Sequence, residues 1–374
     1  MLDDSVLFAL ETEINRIYAE VETEMVSAIA RELAKGSNAS ISPIAWRTEK
    51  LRQMGRLEGK LTDLLRRKSR QIQPELEDSI IRAMLGAGKE DDMVLAQIAS
   101  VKAQIKAGTF VEASKSTVFE KLSKAAIANA RTGLNLTNTQ ALQAASEIWT
   151  SAVNSAYVKT LTGSTSLDQA VKLSVREMGK QGAYVTYVSK AGKMTRTSLE
   201  VAVRRDVVTS VNQAAAEMTM ARCDEYELDL VEVSAHEGAR PEHAAWQGKV
   251  YSLHGKTPGY ELLTVATGYG TVEGLAGANC RHSFFPYSPG LSKQTQDIPG
   301  KRENKATYEA TQKQRYLERN IRSAKREASV SRSGGDLEGA AKAEARVKAY
   351  QGKMREFIDE SGLTRQYPRE QIRT

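Results

Sequence analysis

Residues 234–256, SAHEGARPEHAAWQGKVYSLHGK, and residues 274–292, GLAGANCRHSFFPYSPGLS, are unlike the rest of this chain. All four histidines (His236, His243, His254 and His282) and one of the two cysteines (Cys280) fall between positions 236 and 282. Imidazole and thiol groups titrate near neutral pH and ligate metals. Their confinement to a stretch rich in Gly, Pro and aromatic residues therefore marks a specialised element. That composition reads as turns and short strands. The flanking sequence carries apolar residues at helical spacing, which predicts a mainly α fold with one small α+β module at 181–292.

Outward from that stretch, the N-terminal half reads as a series of amphipathic helices. Leu7, Leu10, Ile14, Ile17 and Val21 follow a three-four pattern that continues, after one slip, through Met25 and Ile29. This helix is expected to end at Gly36-Ser37-Asn38. Ser42-Pro43 is an N-cap and first-turn pair, and Leu51, Met54, Leu57, Leu61, Leu64 and Leu65 carry a second helix toward Pro74. Further helices are expected over about 75–85, 91–106, 114–131 and 139–160, broken at Gly86/Gly88, Gly108 and Gly133. Ser166 with Gln169 opens another through a capping box. Tyr184 to Val188 reads as a strand that turns at Ala191-Gly192-Lys193, Thr197 with Glu200 caps a helix through Tyr226, and Leu228 to Val233 is a strand entering the histidine stretch. Three segments result: a helical region at 1–180, the α+β module at 181–292 and a basic helical region at 293–374.

Composition bounds these readings. A chain of 374 residues suggests two or three domains, and 41% apolar with only 6% aromatic residues favours helix over sheet. No run approaches the roughly 18 apolar residues of a membrane span, and the start lacks the features of a secretion signal, so folding in a cytosol is expected. Two cysteines in different contexts, Cys223 and Cys280, do not form a disulfide framework. The net charge of +7 lies wholly beyond residue 300, where 18 Lys and Arg face 11 Asp and Glu. There Arg315, Arg319, Arg322 and Arg326, with Lys325 alongside, recur at helical spacing, and Leu317, Ile321, Ala324 and Ala328 repeat it two residues later, about 200° round the helix. Such a helix is expected to dock through its apolar stripe and turn its guanidinium groups toward nucleic-acid phosphate. A solvated charged face is the alternative.

The histidine stretch also has a chemical reading. Cys280 and His282, two apart, share one face of an extended segment, while His236 and His243 flank Gly238 and Pro241, which let the chain turn. Those four side chains would suffice for a tetrahedral zinc site. A metal-free cluster, with histidines bonded to carbonyls and Arg240 and Arg281 bridging loops, accounts for the same residues. Acid–base hydrolysis through Glu237 or Glu242 would instead make a zinc-dependent nuclease. Trp246 is expected to anchor the loop by burying its ring, and Gly248, Gly268, Gly270, Gly274 and Gly277 to supply turns of positive φ. Ser164-Thr165-Ser166 and Glu225-Tyr226-Glu227 resemble the serine and paired-glutamate motifs of ADP-ribosyltransferases, although here Ser166 opens a helix and the glutamates close one.

A longer resemblance covers about half of the chain. HEGARPEHAAWQGKVYS (236–252) and TGYGTVEGLAGANCRHSFFPYSPGLS (267–292), preceded by RRDVVTSVNQAAAEM and followed by TYEATQKQRYLERNIRSAKRE, resemble the phage minor capsid protein family, relatives of the Mu F-like head morphogenesis proteins. Arg240, Trp246, Gly248, Asn279 and Arg281 belong to this signature. The resemblance implies a structural protein without enzymatic activity, in the head interior near the portal vertex and assembled in the host cytoplasm. Its implied role is to assist head morphogenesis, DNA packaging or DNA delivery. The implied partners are the portal protein, other head components and packaged double-stranded DNA, in an oligomeric setting without membrane contact. In Mu F-like relatives cysteines often stand where His243 and His282 match, an exchange that a zinc ligand permits.

Overall fold

The computed structural model of the chain describes residues 4–37, 41–163, 165–188, 192, 194–292, 294 and 296–372. In chain order the elements are α1 (Asp4–Ala34), α2 (Pro43–Arg52), α3 (Met54–Leu95), α4 (Ala99–Ala107), α5 (Thr117–Leu161), α6 (Leu167–Gln181), β1 (Tyr184–Val188), β2 (Met194–Ser198), α7 (Leu199–Glu225), β3 (Leu230–Val233), α8 (Pro241–Ala244), β4 (Val250–Ser252), α9 (Leu263–Thr267), β5 (Phe284–Pro286), α10 (Lys301–Ser333) and α11 (Leu337–Ser361). Single 3-10 turns lie at Ala113–Lys115 and Tyr367–Glu370. Helix dominates, and among the described residues strands form only a β1–β2 hairpin and a small antiparallel sheet in the order β4-β3-β5. None of the described helices is long and apolar enough to cross a membrane.

Two helix starts follow their sequence signals. The Ser42 hydroxyl accepts from the Ala45 N–H and the Ser166 hydroxyl from the Gln169 N–H, each satisfying a donor that a helix leaves unpaired at its first turn. Of the turn residues expected at the ends of α1 and β1, Asn38, Ala191 and Lys193 lie outside the described residues.

Three expected breaks do not occur. Helix α3 runs unbroken through Pro74, Gly86 and Gly88, and α5 through Gly133. Along α3, Leu57, Leu61, Leu64, Leu65, Ile72, Leu76, Ile80 and Met84 form one buried stripe that keeps its register across the proline. An interior proline costs about 3 kcal/mol, whereas burying one Leu or Ile side chain returns about 1.5–3 kcal/mol, so the three apolar residues beyond Pro74 outweigh it. Pro74 itself is exposed, as is Arg70, whose carbonyl loses its intrahelical partner. In α5 the buried series Ala126, Ala130, Leu134, Ala141, Ala145, Trp149 and Val153 likewise spans Gly133, against a penalty of about 1 kcal/mol for a glycine.

The chain forms two compact units, each discontinuous in sequence. The first comprises residues 1–11, 73–133 and 205–311, the second residues 12–72, 134–204 and 312–374. These units follow packing, whereas the three segments read from the sequence follow changes of composition. In the first unit β3 is the central strand and is buried throughout. It underlies a core of Cys223, Val231, Val233, Tyr251, Leu263, Leu275 and Phe284. In the second, α1 buries Tyr18, Val21, Met25, Ile29 and Leu33, each 1% exposed or less. The Tyr18 hydroxyl donates to Asn138 Oδ1 at 2.9 Å, Asn138 Nδ2 donates to the Ser69 hydroxyl at 3.1 Å, and the Trp149 indole donates to the Lys50 carbonyl at 3.2 Å, tying α1, α3, α5 and α2 together.

Gly182, which ends α6, has φ +73° and ψ −166°, a region open essentially to glycine alone. A Cβ there would also run into Glu22 Oε1 and the Arg326 guanidinium, which pair with each other at 3.0 Å through Glu22 Oε2. Gly182→Ala is therefore expected to cost at least about 2 kcal/mol. Urea unfolding measures it, and a loss below about 0.5 kcal/mol, the range of an ordinary surface change, would refute the assignment.

Candidate metal centre

Three of the four predicted donors converge in the first unit. His243 lies on the one-turn helix α8, which Pro241 starts at its first position. Cys280 follows Asn279, whose φ of +56° places it in the left-handed region and turns the chain inward. His282 begins the approach to β5, where Ser234 N–H donates to the Ser283 carbonyl at 2.8 Å and the Ser283 N–H to the Ser234 hydroxyl at 3.0 Å. Asn212 of α7 donates its amide to the Cys280 carbonyl and fixes that corner. His243, Cys280 and His282 are each 2% exposed or less.

Their ligand atoms lie within 4.8 Å of one another. Cys280 Sγ stands 3.7 Å from Nδ1 of His243 and 3.7 Å from Nδ1 of His282. The opposite ring nitrogens settle which tautomer is present. His243 Nε2 is 2.8 Å from the Glu273 carbonyl, an acceptor only, so Nε2 carries the proton and Nδ1 a lone pair. His282 Nε2 is 3.0 Å from Gln247 Oε1, and that oxygen also accepts from the His236 N–H at 3.1 Å, which identifies it as oxygen. Both imidazoles thus turn an Nδ1 lone pair toward one sulfur. A thiol has a single hydrogen and can satisfy one of them. A zinc ion with usual bond lengths would separate sulfur and nitrogen ligands by about 3.5 Å along a tetrahedral edge. The observed 3.7 Å fits, and the carbonyl partners are the outer hydrogen bonds that orient metal-bound histidines.

Burial governs the electrostatics. It lowers the His243 pKa and takes that of His282 down to about 2, with the neighbouring His236 and His243 adding, so both rings are neutral. Burial also raises the Cys280 thiol, a shift that a bound cation would reverse by stabilising thiolate.

His236 falls outside the close trio. Its ring packs against that of His282 with centroids 4.3 Å apart, and its Nδ1 meets the Glu237 carbonyl at 3.1 Å. His254 lies elsewhere, half-exposed and bonded to Asp224 at 2.7 Å. Trp246 is buried against the rings of His243 and His282, at 4.5 and 4.7 Å. Arg240 donates to the Ala278 carbonyl at 3.0 Å and so bridges two loops, while Arg281 is exposed. Gly248 has the expected positive φ, and a Cβ there would meet the Ile298 side chain. Gly274 does not have positive φ; what requires glycine there is the Gly268 backbone, which a Cβ would overlap. Sequence reasoning missed Gln247, Asn212 and Asn304, which orient the loop without being ligands. Asn304 holds Ala239 by two bonds, donating at 2.8 Å and accepting at 2.9 Å. A buried amide on either side of a ligand-bearing loop was the available signal.

The arginine face of α10 needs correcting. In the second unit Arg326 is buried, pairs with Glu22 and donates to the Gly179 carbonyl at 3.1 Å. Arg322 donates through Nε to Glu200 at 2.9 Å, and Lys325 donates to the Glu370 carbonyl and to Gln371, both at 2.9 Å. These three cations are engaged with protein. At Arg322 and Arg326 the helix is covered on its charged side as well as on its Leu317–Ile321–Ala324–Ala328 side, because α1 and α7 each supply a buried carboxylate there. Arg319 is exposed and Arg315 half-buried. The transferase reading finds no support in the geometry: the Ser166 hydroxyl caps α6, Glu225 pairs with Arg222 at 2.6 Å, and Ser164 lies outside the described residues.

Residues 2–359 match the sequence profile of a family described as phage minor capsid protein 2. The chain belongs to that family. A structural protein of Lactococcus phage LL-H is 27% identical to it over 336 residues, which are 87% of this chain and 88% of that protein. A structural protein of Lactococcus phage mv4 is 37% identical over 106 residues, 28% of this chain and 86% of that protein. No solved structure matches the chain. Membership of the minor capsid family makes this a phage structural protein, and the family match takes in the N-terminal half, which the sequence resemblance did not reach.

Proposed function

We propose that this minor capsid protein sits in the phage head at the portal vertex, where it assists head assembly, DNA packaging or DNA delivery, and that zinc fastens its histidine loop. The match over nearly the whole chain to a minor capsid family supports a virion role. The donor trio supports the manner of action: three buried ligand atoms with oriented tautomers make a structural clasp, and among the described residues no carboxylate joins them. When bound, zinc would supply a crosslink between α8 and the segment ahead of β5 through His243, Cys280 and His282, with His236 the nearest further histidine. The portal protein and other head components are the partners in this reading, met first in the host cytoplasm.

Imaging of intact virions tests the placement: density for this chain is expected at the portal vertex, and mature particles lacking it would overturn the proposal. Metal analysis of the purified protein tests the clasp. About one zinc per chain is expected, lost in His243→Ala together with thermal stability, and less than about half a zinc per chain removes the metal. The same variant separates a clasp from a nuclease, since DNA cleavage that needs metal and disappears in His243→Ala would contradict the structural role.

A further inference from the structure

A small cavity opens in the first unit between α3, α7 and the segment that leads into β5. Asp91 of α3, Asn212 and Thr219 of α7, and Ser283 supply polar wall, and Ala216 and Phe284 part of the apolar floor. Its volume is about 20 Å³, room for a single water-sized body.

Asp91 distinguishes this cavity from an ordinary packing gap. The residue is 1% exposed, and its Oδ2 has no hydrogen-bond partner. Thr219 bonds the same carboxyl, which supplies a hydrogen but no charge. Arg222, a cation that faces it, is engaged by Asp92 and by Glu225 at 2.6 Å. A buried carboxylate in that setting is costly, because neither water nor a counter-charge replaces the hydration it gave up. The remaining polar wall offers oxygen. Asn212 donates its Nδ2 to the Cys280 carbonyl, which identifies Oδ1 as the acceptor on the other side of the amide. Ser283 and Thr219 each carry a hydroxyl whose lone pairs can coordinate. His282 also borders the cavity but lends no nitrogen, since its two ring nitrogens face Cys280 and Gln247. Glu90, at the same lining, is engaged in a contact of its own.

We infer that this cavity binds a small monovalent cation, sodium or potassium, through Asp91, Asn212, Thr219 and Ser283. All four offer oxygen, the ligand type of hard cations. The single charge of Asp91 matches a single positive one, and the space admits one ion stripped of its hydration shell. The bound ion ties α3 to α7 and to the segment that carries His282. The inference stands apart from the zinc clasp, because the two sites share no donor atom.

The test is thermal unfolding of the full chain, one preparation being carried into sodium, potassium or choline chloride at equal ionic strength. At pH 9 an α-amino group has largely lost its charge and a proton no longer competes for the carboxylate. Choline is too large for the cavity and serves as the reference. Sodium, potassium or both are expected to raise the midpoint saturably by about 4 °C, the tighter binder naming the ion. Asp91→Asn keeps the shape and removes the charge, so its midpoint should be the same in all three salts. In choline this variant should unfold above the parent, and the ion should narrow that gap. Ser283→Ala should bind the ion about fivefold more weakly. Equal midpoints for the parent in the three salts would mean that the cavity holds water alone, and the inference would be overturned. A rise that persists in Asp91→Asn, which is a general salt effect, overturns it too, as does an unchanged affinity in Ser283→Ala.

Discussion

Arg222→Met is expected to destabilise the first unit by about 3 kcal/mol, the low end of the cost of breaking a buried ion pair, because the guanidinium is enclosed while its two carboxylate partners keep some contact with solvent. The Arg222 side chain is 0% exposed. It pairs with Asp92 of α3 and with Glu225 at 2.6 Å, donates to the Val111 carbonyl at 3.0 Å, and lies over the rings of Tyr226 and Phe110 at 4.9 and 5.6 Å. Asp92 in turn accepts from the Ala113 N–H at 2.8 Å, so one guanidinium joins α3, the 3-10 turn and the end of α7. Methionine keeps the length and apolar stem but leaves Asp92 and Glu225 without their cation. Adding Asp92→Asn to this variant should recover part of the loss, because the stranded charge, more than the lost attraction, is what costs. Denaturant unfolding followed by near-ultraviolet circular dichroism reads both, and a loss below about 1 kcal/mol would sink the assignment of Arg222 as the hub.

Asp91→Asn should act in the opposite direction above neutral pH. Asp91 is 1% exposed on α3 and its Oδ2 has no hydrogen-bond partner. Burial raises its pKa from 3.8 to about 7, opposed by a hydrogen bond from Thr219 and by Arg222 and reinforced by Asp92. Between these two values the folded chain keeps a proton that the unfolded chain has released. The stability contributed by this group is therefore complete below pH 3.8 and is lost as pH rises through about 7. Asparagine removes the titration. The variant should gain about 2–3 kcal/mol over the parent at alkaline pH and show a flatter stability profile through the acid range. A variant less stable than the parent at alkaline pH, or with an unchanged slope, would show that the carboxylate is solvated or paired in the folded state.

The sequence disclosed the candidate site better than the helix boundaries around it, for physical reasons. Histidine and cysteine are so sparse in this chain that their clustering alone brought His243, Cys280 and His282 to notice. His236 was grouped with them because spacing cannot distinguish a ligand from a ring stacked beside one. The serine caps at Ser42 and Ser166 were legible since each acts within three residues. Pro74 and Gly133 misled because local propensity was weighed without the buried stripes that override it. Strands β4 and β5 span three residues each, too few for an alternating pattern to show. The partners of the tail arginines were hidden by distance along the chain: Glu22 lies 304 positions from Arg326, and Glu200 lies 122 from Arg322. Glu22 is one of several glutamates along α1, and nothing in its spacing marks it as the buried one that Arg326 comes to meet.

The interleaved make-up of the two units bears on how the newly made polypeptide reaches its native state. Each unit draws on three stretches, and the last stretch of the first ends at residue 311 while that of the second runs to residue 374. Neither can close before its last stretch has been made, and the second, whose last stretch begins at residue 312, closes after the first. Helix α1 therefore meets α3 and α5 long before Arg326, the partner of its buried Glu22, has been made, and chaperone occupancy on nascent chains should persist until α10 has emerged.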